Sequence, residues 1–136
     1  MTDTSRKTLI PGPEGKTIRG GNSYGVKAGG FLFLSAVRGT LPNDGGIPPD
    51  LEEQARQLFR NVEATLKQNG ATMADVVKVA AYMLDLEKDR PVFNKAWKEF
   101  FGDQPPARFA VQVSGLGNPG DGSRFLLDVI ALAPAG

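Results

Sequence analysis

With 136 residues, of which 40% are hydrophobic and 23% charged, the chain has the length and composition of one globular domain with a sizeable core. It contains no Cys and no His, which excludes disulfides, thiolate catalysis, Ser-His-Asp triads and the usual zinc sites. The net charge of +1 argues against a nucleic-acid partner bound through bulk charge. Any chemistry must therefore use carboxylates, Lys, Arg, Tyr, hydroxyls, amides, backbone groups or water.

The N-terminal part of the chain is predicted to hold a loop and several short strands. Residues 1–15, which include the sequence PGPEG, are expected to form an arm or loop. Short strands are expected near 16–20 and 24–28, and FLFLSAV predicts a strand over 31–37. The Gly- and Pro-rich segment 39–49 predicts a surface loop.

An amphipathic helix is predicted to begin after Asp50. Asp50 and Glu53 resemble a capping box, and Gly70 is expected to end the helix as its C′ residue. Apolar residues spaced by three or four positions predict one buried stripe: Leu51, Ala55, Leu58, Val62 and Leu66.

Three strands and a second helix are predicted in the C-terminal half. Residues 76–86 are rich in Val and Ala and predict a buried strand. Pro91 is expected in the first turn of the second helix, which Gly102 ends. QPPARFAVQV (104–113) and RFLLDVIALA (124–133) predict the last two strands.

This order of elements predicts an α+β domain in which two helices cover one face of a mixed sheet. The residues assigned to the helix side are Val79, Phe109, Val111, Leu127 and Val129. Leu126, Ile130 and Leu132 would then leave apolar area on the opposite face. Because such a patch usually marks an interface, we expect a homo-oligomer.

Arg108 opens the strand that follows Pro105 and Pro106, where the backbone is stiff. It is either a solvated arginine at a strand end or a guanidinium group held in place to bind a planar anion such as a carboxylate. Asn94 in the second helix is expected to face water, and Asp121 in GLGNPGDG is expected to serve the turn.

The chain as a whole resembles one known family. NSYGVKAGGFLFLSA, DLEEQARQLFRNVEATLKQNGAT, DVVKVAAYMLDLEKDRPVFNKAWKEFF and PPAR, in this order, are similar to the Rid family of reactive intermediate deaminases, also called YjgF-like. The resemblance covers residues 20–133 and implies a chorismate-mutase-like fold, a homotrimer around a central barrel and ligand clefts between subunits. Family members hydrolyse imines and enamines such as 2-aminoacrylate to a 2-keto acid and ammonia, with no cofactor and no metal.

The resemblance also implies roles for individual residues in binding a small carboxylate. Arg108 matches the arginine that grips the substrate carboxylate, and Tyr24 matches the tyrosine that lines the pocket. Asn94 matches a cleft asparagine, and Ser35 matches the serine of an SGQ-like segment. On this basis the two prolines before Arg108 are expected to preorganise its guanidinium in the cleft.

Several positions depart from the family pattern. Ala36 and Val37 replace Gly and Gln, and Ala110 occupies a small polar or Cys position. Leu126 replaces the glutamate that positions the attacking water in active deaminases. Asp128 lies on the same face of the strand about 7 Å further along, and is the most plausible remaining carboxylate to act in catalysis.

Three functions remain open at this stage. The first is a divergent deaminase in which Arg108 binds the carboxylate, backbone groups near Ser35 and Ala110 hold the imine end, and Asp128 assists the water. The second is a carboxylate-binding or regulatory trimer without hydrolysis, because Leu126 has removed the acid. The third, a ribonuclease, is disfavoured by the near-neutral charge and the absence of His. The start of the chain lacks the apolar run of a signal peptide and no segment is long enough to span a membrane, so we expect a cytoplasmic protein.

Overall fold

Two α-helices cover one face of a six-stranded sheet in the computed structural model, which describes residues 6–135. The helices are α1 (Leu51–Gln68) and α2 (Leu86–Phe101). The strands are β1 (Lys7–Ile10), β2 (Ile18–Arg19), β3 (Asn22–Ser23), β4 (Gly25–Ala28), β5 (Phe31–Val37), β6 (Val76–Met83), β7 (Ala107–Gln112) and β8 (Phe125–Leu132). The α+β class with a mixed sheet is therefore confirmed.

The sheet has the order β1-β4-β5-β8-β6-β7, and a separate hairpin pairs β2 with β3. The β6–β7 pair is parallel, whereas the other pairs are antiparallel. β7 is an edge strand, which suits the two prolines that precede it, because proline cannot donate to a sheet ladder. No helix in the part of the chain that the structure describes is long and apolar enough to cross a membrane.

Helix α1 forms as its sequence predicts. The Asp50 carboxylate accepts a hydrogen bond from the Glu53 backbone N–H at 3.0 Å, and Gly70 has a positive φ of 75° just beyond the helix. Most of the predicted apolar stripe is fully buried, namely Ala55, Leu58, Val62 and Leu66, and Leu51 is half-buried. Burial of this stripe in the hydrophobic core stabilises the packing of α1 in the helix layer.

Helix α2 begins one turn earlier than predicted. β6 ends at Met83, and the Asp85 carboxylate caps the helix by accepting from the Lys88 backbone N–H at 3.2 Å. Pro91 therefore lies in the second turn, where its missing N–H removes one backbone hydrogen bond on an exposed position of the helix. The prediction that Gly102 ends the helix is confirmed.

The orientation predicted for β7 was wrong. Phe109 and Val111 lie on the face opposite the helices and are 42% and 38% exposed. Arg108 instead points to the helix side, where its guanidinium stacks over the rings of Phe93 and Trp97. An alternating pattern shows that a strand has two faces, but the direction of each face depends on tertiary partners.

The face of the sheet opposite the helices carries a broad apolar surface, as expected. Its large apolar side chains that are at least a third exposed include Phe31, Phe33, Phe109, Val111 and Leu132. Leu126 and Ile130 on β8 are half-buried on the same face. Val79, Leu127 and Val129 lie on the helix side and are fully buried, as predicted.

The N-terminal segment is more ordered than the predicted arm or loop over residues 1–15. Residues 1–5 lie outside the described part of the chain, but β1 pairs antiparallel with β4 as an edge strand of the sheet. Ile10 at the end of β1 is only 4% exposed and belongs to the hydrophobic core. Burial of the Ile10 side chain holds the segment against the domain. The sequence did not predict this contact, because the Gly- and Pro-rich residues that follow Ile10 are typical of a loop.

A partly buried ion pair joins α2 to Arg124, the residue that precedes β8. Asp89 is fully buried and accepts hydrogen bonds from the Arg124 guanidinium at 3.1 to 3.3 Å and from the Asp85 backbone N–H at 3.0 Å. The Arg124 backbone N–H donates to Oε1 of Gln54 in α1 at 2.6 Å. Because Asp89 is fully buried, removing the Arg124 side chain leaves the Asp89 charge without a compensating cation.

We expect Arg124→Ala to lower the free energy of unfolding by about 3–5 kcal/mol, because it strands the Asp89 carboxylate in the core. Urea denaturation followed by Trp97 fluorescence, at one fixed protein concentration, measures this loss. Arg90→Ala is the matched control, since Arg90 is exposed on α2, and its effect should stay within about 0.5 kcal/mol. Equal losses in the two variants would contradict the role assigned to the pair.

Candidate functional site

Two adjoining cavities open at the C-terminal end of β5, with volumes of about 420 and 440 Å³. Tyr24, Ala36 and Arg38 line both of them. The first cavity extends along α1, and the second extends towards Ser35 and the loop that holds Asp121. Three residues that the sequence resemblance assigned to the pocket, Tyr24, Ser35 and Ala36, are therefore neighbours in this region.

A β-bulge at the end of β5 brings Ser35 next to Asp128. The register between β5 and β8 shifts between Leu34 and Val37, which leaves Ser35 and Ala36 opposite Asp128. The Ser35 hydroxyl donates to the Asp128 carboxylate with an Oγ–Oδ1 distance of 2.6 Å. Bulges of this kind redirect side chains and are frequent beside functional sites. The pair is exposed on the face opposite the helices, so the second carboxylate oxygen stays accessible.

Tyr24 is held in place by the N-terminal segment. A Cβ atom on Gly12 would lie 2.4 Å from Cδ1 of the Tyr24 ring, so the ring packs directly on the Gly12 backbone. The Tyr24 backbone N–H donates to the Thr17 carbonyl at 3.0 Å, and its carbonyl accepts from the Ser35 N–H at 3.4 Å. These contacts fix the tyrosine beside the bulge, and they explain why a glycine is needed at position 12.

Arg108 is a restrained cation with unused hydrogen-bonding capacity. Its Cζ lies 4.7 Å from the Trp97 ring centroid and 5.3 Å from that of Phe93, within cation–π range. Nη2 donates to Asn94 Oδ1 at 2.5 Å, whereas Nη1 is buried and has no hydrogen-bond partner among residues 6–135. Burial, together with the charge of Arg90, lowers the pKa of Arg108. Asn94 is exposed, as expected, but its side chain is committed to Arg108 rather than to water alone.

The site residues form two groups on opposite sides of the sheet centre. Arg108 and Asn94 lie at the β7 edge, and neither of the two cavities includes them. Tyr24, Ser35 and Ala36 lie around β5, and β8 and β6 separate them from β7. A single chain therefore does not bring the predicted carboxylate anchor to the predicted imine end.

The remaining predicted site residues divide between the two faces of the sheet. Leu126 and Asp128 share the face opposite the helices, as expected from their spacing, and pair with Tyr82 and Ala80 of β6. Ala110 lies on the helix side with Arg108 and packs against the hydrophobic core. In one chain Ala110 is thus remote from Ser35, because β8 and β6 lie between β7 and β5, and a ligand held by both backbones would need two subunits.

Arg38 is a prominent cavity residue that sequence reasoning missed. Its Nη2 donates to the Leu116 carbonyl, and Nη1 is buried without a hydrogen-bond partner in the described part of the chain. Burial lowers its pKa, the Asp121 charge opposes that effect, and the Arg19 charge adds to it. The sequence signal for Arg38 was an arginine directly after an apolar strand. This feature is too common in proteins to indicate a binding residue.

Asp121 serves the turn, as predicted, and also borders the second cavity. Its carboxylate accepts from the Ser123 backbone N–H at 2.7 Å. Burial raises the pKa of Asp121, but the Ser123 hydrogen bond and the charge of Arg38 together bring it below its usual value. Within residues 6–135 no group of three or more Asp or Glu side chains could hold a metal ion.

Comparison with known proteins places this geometry in context. The family model described as Endoribonuclease L-PSP matches residues 16–132. A RutC family protein of Pyrococcus horikoshii is 38% identical over 112 residues, which cover 82% of this chain and 84% of the relative. Putative reactive intermediate deaminase TdcF of Escherichia coli is 34% identical over 95 residues, or 68% of this chain and 73% of that protein.

Solved structures agree with the fold over almost the whole chain. The Rid-family protein YyfA of Yersinia pestis, whose function is unknown, superposes with a TM-score of 0.82 at 28% identity and covers 93% of this chain and 99% of its own. The structure of E. coli TdcF with bound serine gives a TM-score of 0.77 at 30% identity, with 93% of this chain and 94% of TdcF covered.

Proposed function

The chain belongs to the Rid (YjgF-like) family, whose model carries the description Endoribonuclease L-PSP, and we propose that it hydrolyses an imine or enamine that bears a carboxylate. The observation that carries this proposal is the restrained Arg108 guanidinium, whose buried Nη1 has no hydrogen-bond partner among the residues that the structure describes. A planar cation of this kind suits a carboxylate, which accepts two parallel hydrogen bonds. The serine bound to TdcF is likewise a small molecule with a carboxylate.

The proposed reaction consumes one water and needs no change of oxidation state. An enamine first tautomerises to its imine, and protonation of the nitrogen makes the imine carbon electrophilic. The water oxygen then bonds to this carbon while the water proton passes to a base. The base returns this proton to the nitrogen of the resulting carbinolamine, the C–N bond breaks and ammonia leaves. The hydroxyl then loses its own proton to solvent, which replaces the proton taken up by the imine, and its oxygen becomes the carbonyl of a 2-keto acid. No histidine is required for these steps.

Asp128 is the carboxylate proposed to assist the attacking water. The hydrogen bond from the Ser35 hydroxyl orients its carboxylate, and the other oxygen can accept a proton from water. Tyr24 and the backbone at Ala36 border the same cavity and would hold the imine end of the ligand. Ala110 would border the carboxylate end, since it lies two residues from Arg108 on the same face of β7.

The two groups of site residues are proposed to meet between subunits of a homotrimer. Arg108 and Asn94 of one subunit would then complete the cavity formed by Tyr24, Ser35 and Asp128 of its neighbour. Support comes from the apolar sheet face, on which aromatic side chains are exposed in the single chain. Association through this face would remove that area from water and complete the cleft in the same step.

The second candidate function is a trimer that binds a small carboxylate without hydrolysing its ligand. Leu126 favours it, because this residue replaces the glutamate that the family resemblance places at this position, and leucine cannot order or deprotonate water. A ribonuclease, which the description of the family model names, is disfavoured by the net charge of +1 and the absence of His.

We expect the protein to have the mass of a trimer in light scattering at micromolar concentration. Val111→Asp should weaken association, since it places a charge on the apolar sheet face. Glu63→Lys changes a charge on the exposed side of α1 and should leave the trimer intact. A monomer mass for the unmodified protein would contradict both the assembly and the shared cleft.

We expect small carboxylates such as pyruvate to raise the melting temperature, because a ligand that binds only the folded state stabilises it. Arg108→Ala should remove the shift, while Arg90→Ala, which deletes an exposed arginine nearby on α2, should retain it. Thermal denaturation at several pyruvate concentrations gives the comparison. A full shift in Arg108→Ala would place the anchor elsewhere.

We expect Leu126→Glu to increase ammonia release from enzymatically generated 2-aminoacrylate by about 10²–10⁴-fold, the usual contribution of a well-placed acid–base group. Leu126→Gln is the matched control, since glutamine has the size and polarity of glutamate at the same position but has no carboxylate to deprotonate water. Should Leu126→Glu remain trimeric and gain nothing, Ala36 and Val37 have reshaped the pocket, and the binding trimer becomes the better explanation.

A further inference from the structure

The wall shared by the two cavities carries a second restrained arginine, Arg38. We propose that Arg38 forms an anion subsite beside the deaminase centre and that the substrate is the imine or enamine of a dicarboxylic acid. Arg38 would bind the second carboxylate, at the end of the ligand remote from the group bound by Arg108. This inference rests on the proposed function and specifies its substrate class.

The first argument is the unsatisfied hydrogen-bonding capacity of Arg38. Its Nη1 is buried without a partner in the described chain, and a buried N–H without a partner destabilises the protein that contains it. Its Nη2 is already bonded to the Leu116 carbonyl, so the guanidinium plane is fixed. A purely structural arginine would be expected to satisfy both nitrogens, whereas a binding arginine keeps one for its ligand.

The second argument is that the backbone at Arg38 is fixed to α1 before any ligand binds. The Asn61 side-chain amide donates to the carbonyls of Arg38 and Thr40, both at 2.8 Å. Between them Gly39 approaches α1 so closely that a Cβ would lie 2.6 Å from the Gln54 carbonyl. Preorganisation of this kind reduces the entropy lost on binding.

The third argument separates Arg38 from the other two arginines of the cavities. Arg60 has Glu53 within 3.5 Å, and Arg19 has Asp44 within 3.9 Å, so carboxylates already compensate both charges. No carboxylate among the described residues lies within 4.0 Å of the Arg38 guanidinium, although the charge of Asp121 acts on it. Arg38 is thus the arginine whose charge is available to a ligand.

The fourth argument is the position and size of the cavities. Arg38 follows Ser35 and Ala36 along the chain and borders the second cavity with them, so one ligand can touch all three. The first cavity alone, at about 420 Å³, falls in the range of about 300–1,000 Å³ that holds drug-sized ligands and exceeds the needs of a three-carbon imine. Ala36 and Val37 provide an apolar wall beside it that suits a short aliphatic linker between two acids.

The test compares two product analogues of equal chain length by isothermal titration calorimetry. 2-Oxoglutarate has a carboxylate where 2-oxopentanoate has a methyl group. The unmodified protein should bind 2-oxoglutarate about tenfold to a hundredfold more tightly, the range expected for a hydrogen bond to a charged group. Arg38→Gln should remove this preference and leave the 2-oxopentanoate affinity unchanged. Arg60→Gln, on the wall of the same cavity, should retain the preference, and Arg108→Ala should weaken both ligands.

The outcomes separate this inference from the proposed function. If 2-oxopentanoate binding depends on Arg108 but the preference survives in Arg38→Gln, the dicarboxylate subsite is overturned and the carboxylate-binding function stands. If neither ligand binds the unmodified protein, both fail. If the unmodified protein binds the two ligands with equal affinity, the dicarboxylate subsite is overturned. This comparison needs no variant, so it holds even if Arg38→Gln does not fold. Tighter binding of inorganic phosphate than of 2-oxoglutarate would assign Arg38 to a phosphate group and likewise overturn the dicarboxylate.

Discussion

The arrangement around the cavities depends on polar side chains of α1 that donate hydrogen bonds to the neighbouring loops. Loops that follow strands present carbonyl groups with no ladder partner, and such groups must be satisfied when they are buried. Gln54 provides two donations, to the carbonyls of Pro48 and Gly122, and Asn61 provides two more to the segment after β5. Further along the helix, Asn69 donates to the carbonyl of Pro11 in the N-terminal segment. One helix therefore positions three other segments of the chain, namely the N-terminal segment, the loop between β5 and α1, and the loop before β8.

These hydrogen bonds explain why the sequence of α1 predicted its buried apolar residues but not its polar residues near the cavities. The apolar stripe obeys a local rule, since residues three or four positions apart share one helix face. Gln54 has a polar side chain that is only 2% exposed, and its partners include a carbonyl 68 residues away. A residue that is buried because of remote partners leaves no periodic signal in its own neighbourhood.

The same division between local and remote causes applies to the strands and to the candidate site. The bounds of β5 followed from its sequence, whereas the facing of β7 depended on whether Arg108 could stack on aromatic rings of α2. The family resemblance gave Ser35 and Asp128 as separate positions, and the register shift in β5 makes them a hydrogen-bonded pair. Arg38 belongs to no motif, and its significance appears only from the structure, in which its Nη1 is buried with no hydrogen-bond partner in the described segment of the chain.

Arg108 in the edge strand β7 and Arg38 just after the inner strand β5 are held in the same way. In each, burial lowers the pKa and a hydrogen bond anchors one guanidinium nitrogen, whereas the other nitrogen is buried with no hydrogen-bond partner within residues 6–135. Removing such a cation from water costs free energy, which the aromatic stack offsets for Arg108 and which a bound anion would offset for both. Because β8 and β6 lie between the two residues, one ligand can engage both cations only if different copies of the chain contribute them. The apolar sheet face is therefore as much a part of the proposed binding site as either arginine, since association through it decides whether the two cations ever face the same molecule.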